Sequence, residues 1–324
     1  MLYPLKFEPI LLPKIWGGQR LKTLYKGTEK YENIGESWLV SGIEGKESVV
    51  MEGFFAENTL PELVEVYLND LVGNKVYDRY GENFPLLVKI IDSADDLSIQ
   101  VHPNDETAQK HHNCSGKNEM WYFLDCEEDA FIYAGFNKKI TKKEYLKAVK
   151  NNNLEKYLNK IFVKKGGVVS IPAGCVHSIG RGCTILEIQQ SSDITYRIYD
   201  YNRKDDKGNT RELHTEQALD AIDFKNRENN LLQPQIIDNQ AKKIIENEYF
   251  KCLVLNSTAP QELDLSEIDS FVLLSVVEGS LSINYPDGKI TAKEWETILV
   301  PAALDFIILE PQNKAKILIT YINN

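Results

Sequence analysis

The chain has 324 residues, 43% of them hydrophobic and 26% charged, with a net charge of −11. That is enough chain for about two domains and enough apolar content for a sizeable core. The acidic balance excludes nucleic acid or an anionic membrane as the main partner, since both reward clustered Lys and Arg. An anionic small molecule stays open, because it needs only a few well-placed cations. Five cysteines (Cys114, Cys126, Cys175, Cys183, Cys252) show no CxxC spacing, so no disulfide framework is expected. The opening "MLYPLKFEPILLPKIW" is broken by Pro4, Glu8 and Pro13 and lacks a basic start. No apolar run approaches the ~18 residues of a membrane span. The expected location is the cytoplasm.

In chain order, most segments read as short strands. "SWLVSGI", "ESVVMEGFF", "PLLVKIID", "EMWYFLD", "AFIYAGF", "GGVVSIPAG", "CTILEIQQ" and "DITYRIYDY" are rich in β-branched and aromatic residues and bounded by Gly, Asp, Asn or Pro. Helical spacing marks three inserts. These are a segment near 59–71 that opens with Thr59 before Pro61, one or two amphipathic helices over 141–162, and "HTEQALDAIDF". Residues 225–248 are polar with weak periodicity and read as a connection, after which strands resume. The expected domains are therefore 1–224, with the two helical inserts, and 249–324. One echo links them: "VVSIPAGCVHSI" and "TILVPAALDFII" both run strand, Pro-Ala, turn, strand. Aligned on Pro172 and Pro301, His177 falls opposite Phe306, so only the first copy keeps polar chemistry.

That chemistry is legible from spacing. In "GGVVSIPAGCVH", Gly166, Pro172, Gly174 and His177 form G-x5-P-x-G-x2-H, which resembles the second motif of the cupin superfamily. The Gly and Pro make a tight turn between barrel strands and aim the following His inward. The first cupin motif is looser here. Gln100 and His102 sit two apart in "SIQVHPND", on one strand face, and Glu119 follows after sixteen intervening residues that read as a loop insertion. Read alone, Gln100 and His102 would merely close a strand before Pro103. Two imidazoles, a carboxylate and an amide oxygen suit a divalent first-row metal, Zn²⁺ first among them. The cupin resemblance implies a mainly β fold: a jelly-roll barrel with a small helical insertion, followed by a second, metal-free cupin-like β domain.

A closer resemblance is to the class I phosphomannose isomerases in their short bacterial form. It runs through "LLPKIWGGQRL", "IGESWLVSG", "NFPLLVKIIDSADDLSIQVHPND", "GKNEMWYFLD", "IPAGCVHSIG" and "LEIQQSSDITYRIYDYNR", in order, over the first two-thirds of the chain. The resemblance implies a zinc-dependent isomerase of mannose 6-phosphate and fructose 6-phosphate, with one zinc per chain on Gln100, His102, Glu119 and His177 and an active-site Arg197. The implied partner is a phosphorylated hexose, and the expected assembly is a monomer or weak homodimer. The chain departs from the family's "HKPE" in having "GKNE", which keeps Lys117 and Glu119 but lacks the His and Pro.

Further candidates follow from charges in apolar surroundings. Lys117 is a candidate for phosphate or proton handling, Glu187 in "TILEIQQ" for base or hydrogen-bond partner, and Lys89 in "PLLVKIID" is either paired or functional. A paired structural charge is the plainer reading of each. Arg197 shares a strand face with Thr195 and Tyr199, where a guanidinium could hold oxyanions bidentately. His111 and His112 read as loop residues, His214 as a helix cap, Cys175 and Cys183 as small buried hydrophobes, and Trp16, Trp38 and Trp121 as core or pocket wall. Two other functions fit the barrel: an iron or manganese cupin oxygenase, and a non-catalytic sugar-binding protein.

Overall fold

The computed structural model describes residues 2–204, 207–225 and 231–323. The fold is mainly β, with 41% strand against 17% helix, as expected from the density of β-branched and aromatic segments. The chain divides into two compact units, one from residues 11–37 and 88–233 and one from 1–10, 38–87 and 234–324. They are called the central and terminal units after their place in the sequence. Both are discontinuous, whereas the sequence suggested continuous domains over 1–224 and 249–324.

The central unit is built on two antiparallel sheets. One runs Leu158–Phe162, Phe131–Phe136, His177–Ile179, Ile99–Val101, Tyr196–Tyr199. The first four strands of the other are, in order, Val168–Ile171, Glu119–Cys126, Cys183–Gln190 and Leu86–Ser93. Trp121, Phe123, Ile171 and Ile185 from the second sheet meet Ile132, Ala134 and Ile179 from the first in one buried core. This is the double-sheeted jelly roll that the Gly-Pro-Gly-His turn implied. Leu86–Ser93 is buried at every position, which explains why its sequence reads as a continuous apolar run rather than an alternation.

The site-bearing turn forms as its residue types require. Gly166 and Gly174 have φ of 80° and 83°, a region that a side chain strains, and the Cys175 N–H closes a turn onto the Pro172 carbonyl at 3.1 Å. The insertion between His102 and Glu119 is not a loop but a helix, Asp105–His112. Asn104 caps it by accepting from the Thr107 N–H, acidic residues fill its first turn and Lys110, His111 and His112 its last, in accord with the helix dipole. His111 and His112 are thus helical, and His112 Nε2 lies 2.7 Å from the Tyr196 hydroxyl.

Over 141–162, Thr141 and Glu144 form a reciprocal capping box that starts the helix Lys142–Lys150. A short 3₁₀ turn follows, and the last part is a strand, Leu158–Phe162, whose alternating burial suits a sheet edge better than a helix.

In the terminal unit the predicted helix near 59–71 spans Leu60–Val72, with a second capping box (Thr59, Glu62) and a break at Leu68, where φ is 48°. Of "ESVVMEGFF" only its first residue, Glu47, lies in a strand, Lys46–Glu47, which pairs with Gly42–Ile43. A second helix, Asn74–Tyr80, follows Leu60–Val72, and the larger part of the unit is a sheet centred on two long strands, Val272–Tyr285 and Phe306–Tyr321, with register shifts at Val276/Glu278 and Gly279/Leu281 that bend the pair. Leu255, Val276, Leu281, Ile298, Ile307 and Ile317 form its core. Of the polar connection, 226–230 lie outside the described residues, and Lys242–Glu246 is a strand paired with Lys251–Ser257.

Phe123 is fully buried between the two sheets of the central unit. Truncation to alanine there is expected to cost about 3–5 kcal/mol. Urea denaturation of Phe123→Ala beside the parent chain measures it, and a cost below about 1 kcal/mol would mean that the inter-sheet core is not close-packed.

Candidate active site and metal centre

Strand register assembles the site. His177 lies directly opposite Gln100 on one side, and Arg197 lies opposite Gln100 on the other. Directly paired residues share a sheet face, so a row of imidazole, amide and guanidinium crosses three strands. His102 extends the face from just beyond Val101. The second sheet supplies Glu119 at the head of its strand, opposite Gln189, and Glu187 two residues away, opposite Trp121.

His102, Glu119 and His177 bring one ligand atom each within 4.8 Å of one another, and all three are buried. Each imidazole is fixed by its Nδ1–H, which donates to the Ile194 carbonyl from His102 and to the Cys175 carbonyl from His177, both at 2.9 Å. That tautomer leaves the Nε2 lone pairs facing Glu119, at 3.5 Å from Oε2 for His102 and 3.4 Å from Oε1 for His177. Burial, reinforced by the Lys117 charge, lowers the His102 pKa well below the ordinary imidazole range. Burial also pushes His177 down to about 4. Both rings are therefore neutral near pH 7, the state in which a histidine ligates a metal. Glu119 Oε1 is buried with no hydrogen-bond partner, an arrangement that costs free energy unless a cation completes it.

The donor set thus fits a divalent metal. The Gln100 amide nitrogen lies 3.2 Å from His177 Nε2, and rotating the amide about its last torsion exchanges that nitrogen for the carbonyl oxygen, the atom that a metal would take. The Lys117 ammonium lies 2.5 Å from Glu119 Oε2 and 3.0 Å from His102 Nε2, two atoms of the same donor set. His102 Nε2 has a single lone pair, so its bond to Lys117 and a bond to metal exclude each other.

A run of alternating charges leads away from this centre. Lys117 reaches Glu187 Oε1 at 3.4 Å, Lys89 meets the same oxygen at 3.0 Å, and Lys14 meets Glu36 at 3.1 Å. Burial and the nearby Glu119 charge raise the Glu187 pKa against the pull of the two lysines. Burial by itself would lower the Lys89 pKa, but Glu187, Glu36, Glu119 and Asp193 outweigh it and hold the amine above its ordinary range.

A cavity of about 240 Å³ opens beside the centre. Its lining includes five basic side chains, Lys14, Lys89, Lys117, Arg197 and Arg211, against three acidic ones, Glu36, Glu187 and Asp193. Arg197 is half-buried there. Its Nη1 donates to the Glu212 carbonyl at 3.1 Å, while its Nε–H is buried and unpartnered. Burial, with Arg211 close by, lowers the Arg197 pKa. Arg211 is held by Asp200, which also binds Arg203.

The eight residues singled out in the sequence, Lys89, Gln100, His102, Lys117, Glu119, His177, Glu187 and Arg197, come together in the central unit. Trp16 and Trp121 line the cavity, and Trp38 is core. His214 stands at the start of the helix Thr215–Ala221 but does not cap it; its Nδ1 accepts the Arg197 backbone N–H at 3.1 Å. Lys14, Glu36, Asp193 and Arg211 went unselected. Arg211 sits in the polar stretch "GNTRELH", which carries no pattern, and Lys14 in "LLPKIW" does lie in an apolar run, the signal that marked Lys89.

Lys89 is buried and its partner Glu187 equally so. Lys89→Met is expected to destabilise the chain by up to roughly 3–5 kcal/mol, because it removes the nearer of the two ammonium groups that pair the buried Glu187 carboxylate. Thermal and denaturant unfolding of the variant measure the loss, and an unchanged midpoint would show that Lys117 alone satisfies Glu187.

Comparison with known proteins agrees with this geometry. The family model for the catalytic domain of type I phosphomannose isomerase matches residues 5–156. Mannose-6-phosphate isomerase ManA of Bacillus subtilis is 37% identical over 310 residues, covering 95% of this chain and 96% of the relative. The crystal structure of a mannose 6-phosphate isomerase from Bacillus subtilis superposes with a TM-score of 0.86 at 29% identity, covering 98% of this chain and 99% of that one. A zinc-bound mannose 6-phosphate isomerase shares the fold over 100% of both chains, with a TM-score of 0.77 at 15% identity. With sequence, fold and a buried His–Glu–His set in agreement, the chain belongs to the type I phosphomannose isomerase family.

Proposed function

We propose that the protein interconverts mannose 6-phosphate and fructose 6-phosphate, using one zinc ion per chain held by Gln100, His102, Glu119 and His177. The observation that carries the reading is the buried, neutral His102–Glu119–His177 set beside a cavity with more cations than anions, in a chain whose net charge is −11. A local excess of positive charge against an acidic background suits a phosphorylated hexose.

Aldose–ketose exchange moves a proton between adjacent carbons through an enediol. A bound divalent metal supplies Lewis acidity toward a substrate oxygen. The protein's own groups do the rest. Glu187, buried and with a raised pKa, is suited to accept the proton from one carbon and return it to the next. Lys117 donates toward Glu187 and is suited to shuttle or neutralise charge on a neighbouring oxygen. Arg197 lines the cavity, where its guanidinium is suited to hold an enediolate or phosphate. The cavity cations give an oxygenase no advantage, and neutral ligand histidines with a paired Glu–Lys exceed what a sugar-binding protein needs.

The reading has a direct assay. Purified protein is expected to carry about one zinc per chain, to lose conversion of mannose 6-phosphate on chelation, and to regain it with Zn²⁺. His177→Ala is expected to lower the metal content along with the activity. Folded, fully metallated protein with no conversion would sink the isomerase.

Glu187→Gln separates the base from the binding site. The expected loss in kcat is ~10²–10⁴, with KM little changed. A kcat within a factor of two of the parent would remove Glu187 from proton transfer and point to Lys117.

A further inference from the structure

Cys126 and Cys183 lie outside the chemistry above, yet they end the two strands that carry it. Cys126 closes the strand that Glu119 opens, and Cys183 opens the strand that carries Glu187. They are direct cross-strand partners in the antiparallel ladder. The position is a non-hydrogen-bonded one: the Cys183 N–H turns away to the Ser93 hydroxyl at 3.1 Å, and the Glu127 N–H bonds the Gly182 carbonyl one step along. Such pairs bring Cα atoms to about 4.5 Å and side chains closest. That falls within the ~4.4–6.8 Å window in which a disulfide closes without backbone movement.

The two side chains share one face of the sheet as cross-strand neighbours. The Cys183 thiol donates to the Phe131 carbonyl at 3.7 Å, and the influence of the facing thiols on one another lowers the Cys126 pKa and raises that of Cys183. Burial and the Asp125 charge work against that lowering, and the Arg20 guanidinium, 3.6 Å from both Asp125 and Glu127, works with it. Cys126 is partly exposed, whereas Cys183 is buried. The pair therefore has the division of labour of a redox dithiol: one partly exposed sulfur whose pKa is lowered and one sheltered sulfur opposite it in the ladder.

We propose that Cys126 and Cys183 form a reversible cross-strand disulfide with low-molecular-weight disulfides as oxidant. The Cys126 thiolate attacks one sulfur of RS–SR, forming Cys126–S–S–R and releasing RS⁻, which takes up the proton lost by Cys126. Cys183 then attacks the Cys126 sulfur and expels the second RS⁻, which leaves with the Cys183 proton. Two protein thiols are oxidised to one disulfide, and one RS–SR is reduced to two RSH. The product staples together, at their far ends, the strands that carry Glu119 and Glu187.

The test uses the full chain, folded, equilibrated with oxidised glutathione and then mapped by mass spectrometry. The expected result is loss of two of the five thiols, no retained glutathione, a single cross-linked peptide joining Cys126 to Cys183, and full return with dithiothreitol. Cys183→Ser is expected to stop at a glutathione adduct on Cys126, and Cys126→Ser to leave Cys183 reduced. The proposal is overturned if the unmutated chain yields no Cys126–Cys183 peptide, if glutathione stays on Cys126 while Cys183 remains a thiol, or if Cys183 oxidises equally fast in Cys126→Ser. The peptide map of the unmutated chain decides the matter even where a variant fails to fold.

Discussion

A buried charge must find a partner, and the central unit is organised around that requirement. Glu119, Glu187, Lys117 and Lys89 are each no more than 6% exposed, within two packed sheets. Isolated, any one of them would be costly to bury. Together they alternate in sign from the imidazoles outward, so that every ammonium lies against a carboxylate. Glu119 Oε1, a buried atom that this arrangement leaves without a hydrogen-bond partner, faces His177. The group most in need of a cation thus lies where the neutral imidazoles also offer lone pairs.

The same requirement bears on Lys117. Its ammonium can neutralise Glu119 only by using the lone pair of His102 that a metal would use. Two cations therefore compete for one set of donors. Metal binding would release the lysine from His102 while leaving it beside Glu187, so that loading the centre also changes the partners of the ammonium.

Much of this was legible in the sequence because local rules govern it. The turn through Gly166, Pro172 and Gly174 sets His177 by backbone conformation, and the two-residue spacing of Gln100 and His102 sets their shared face. Lys89 and Glu187 stood out because charge in an apolar run demands a reason. What the sequence concealed was long-range or polar. Arg211 reaches the cavity through an ion pair with Asp200 that no periodicity marks. Residues 38–87 join the terminal unit through pairings made across the whole chain, which no local pattern records. The helix Asp105–His112 is a different case: its Asn cap and charge polarity were present to be read, but so short a polar helix lacks an apolar stripe. In the echo between the halves, both Pro172 and Pro301 follow a strand and open a turn into the next, but Phe306, opposite His177, is 41% exposed while Ile307 is fully buried.

The row of His177, Gln100 and Arg197 across three strands has a consequence for how the molecule can fail. Successive residues of a strand face opposite sides, so a slip of one position in Ile99–Val101 would turn Gln100 away from both neighbours at once and expose Ile99 and Val101, which are fully buried. The alignment that fills the core is the alignment that builds the site. A chain folded in the wrong register would lose its solubility along with its chemistry, so that partly active misfolded species have little chance to accumulate, and proofreading of the fold is at the same time proofreading of the catalyst.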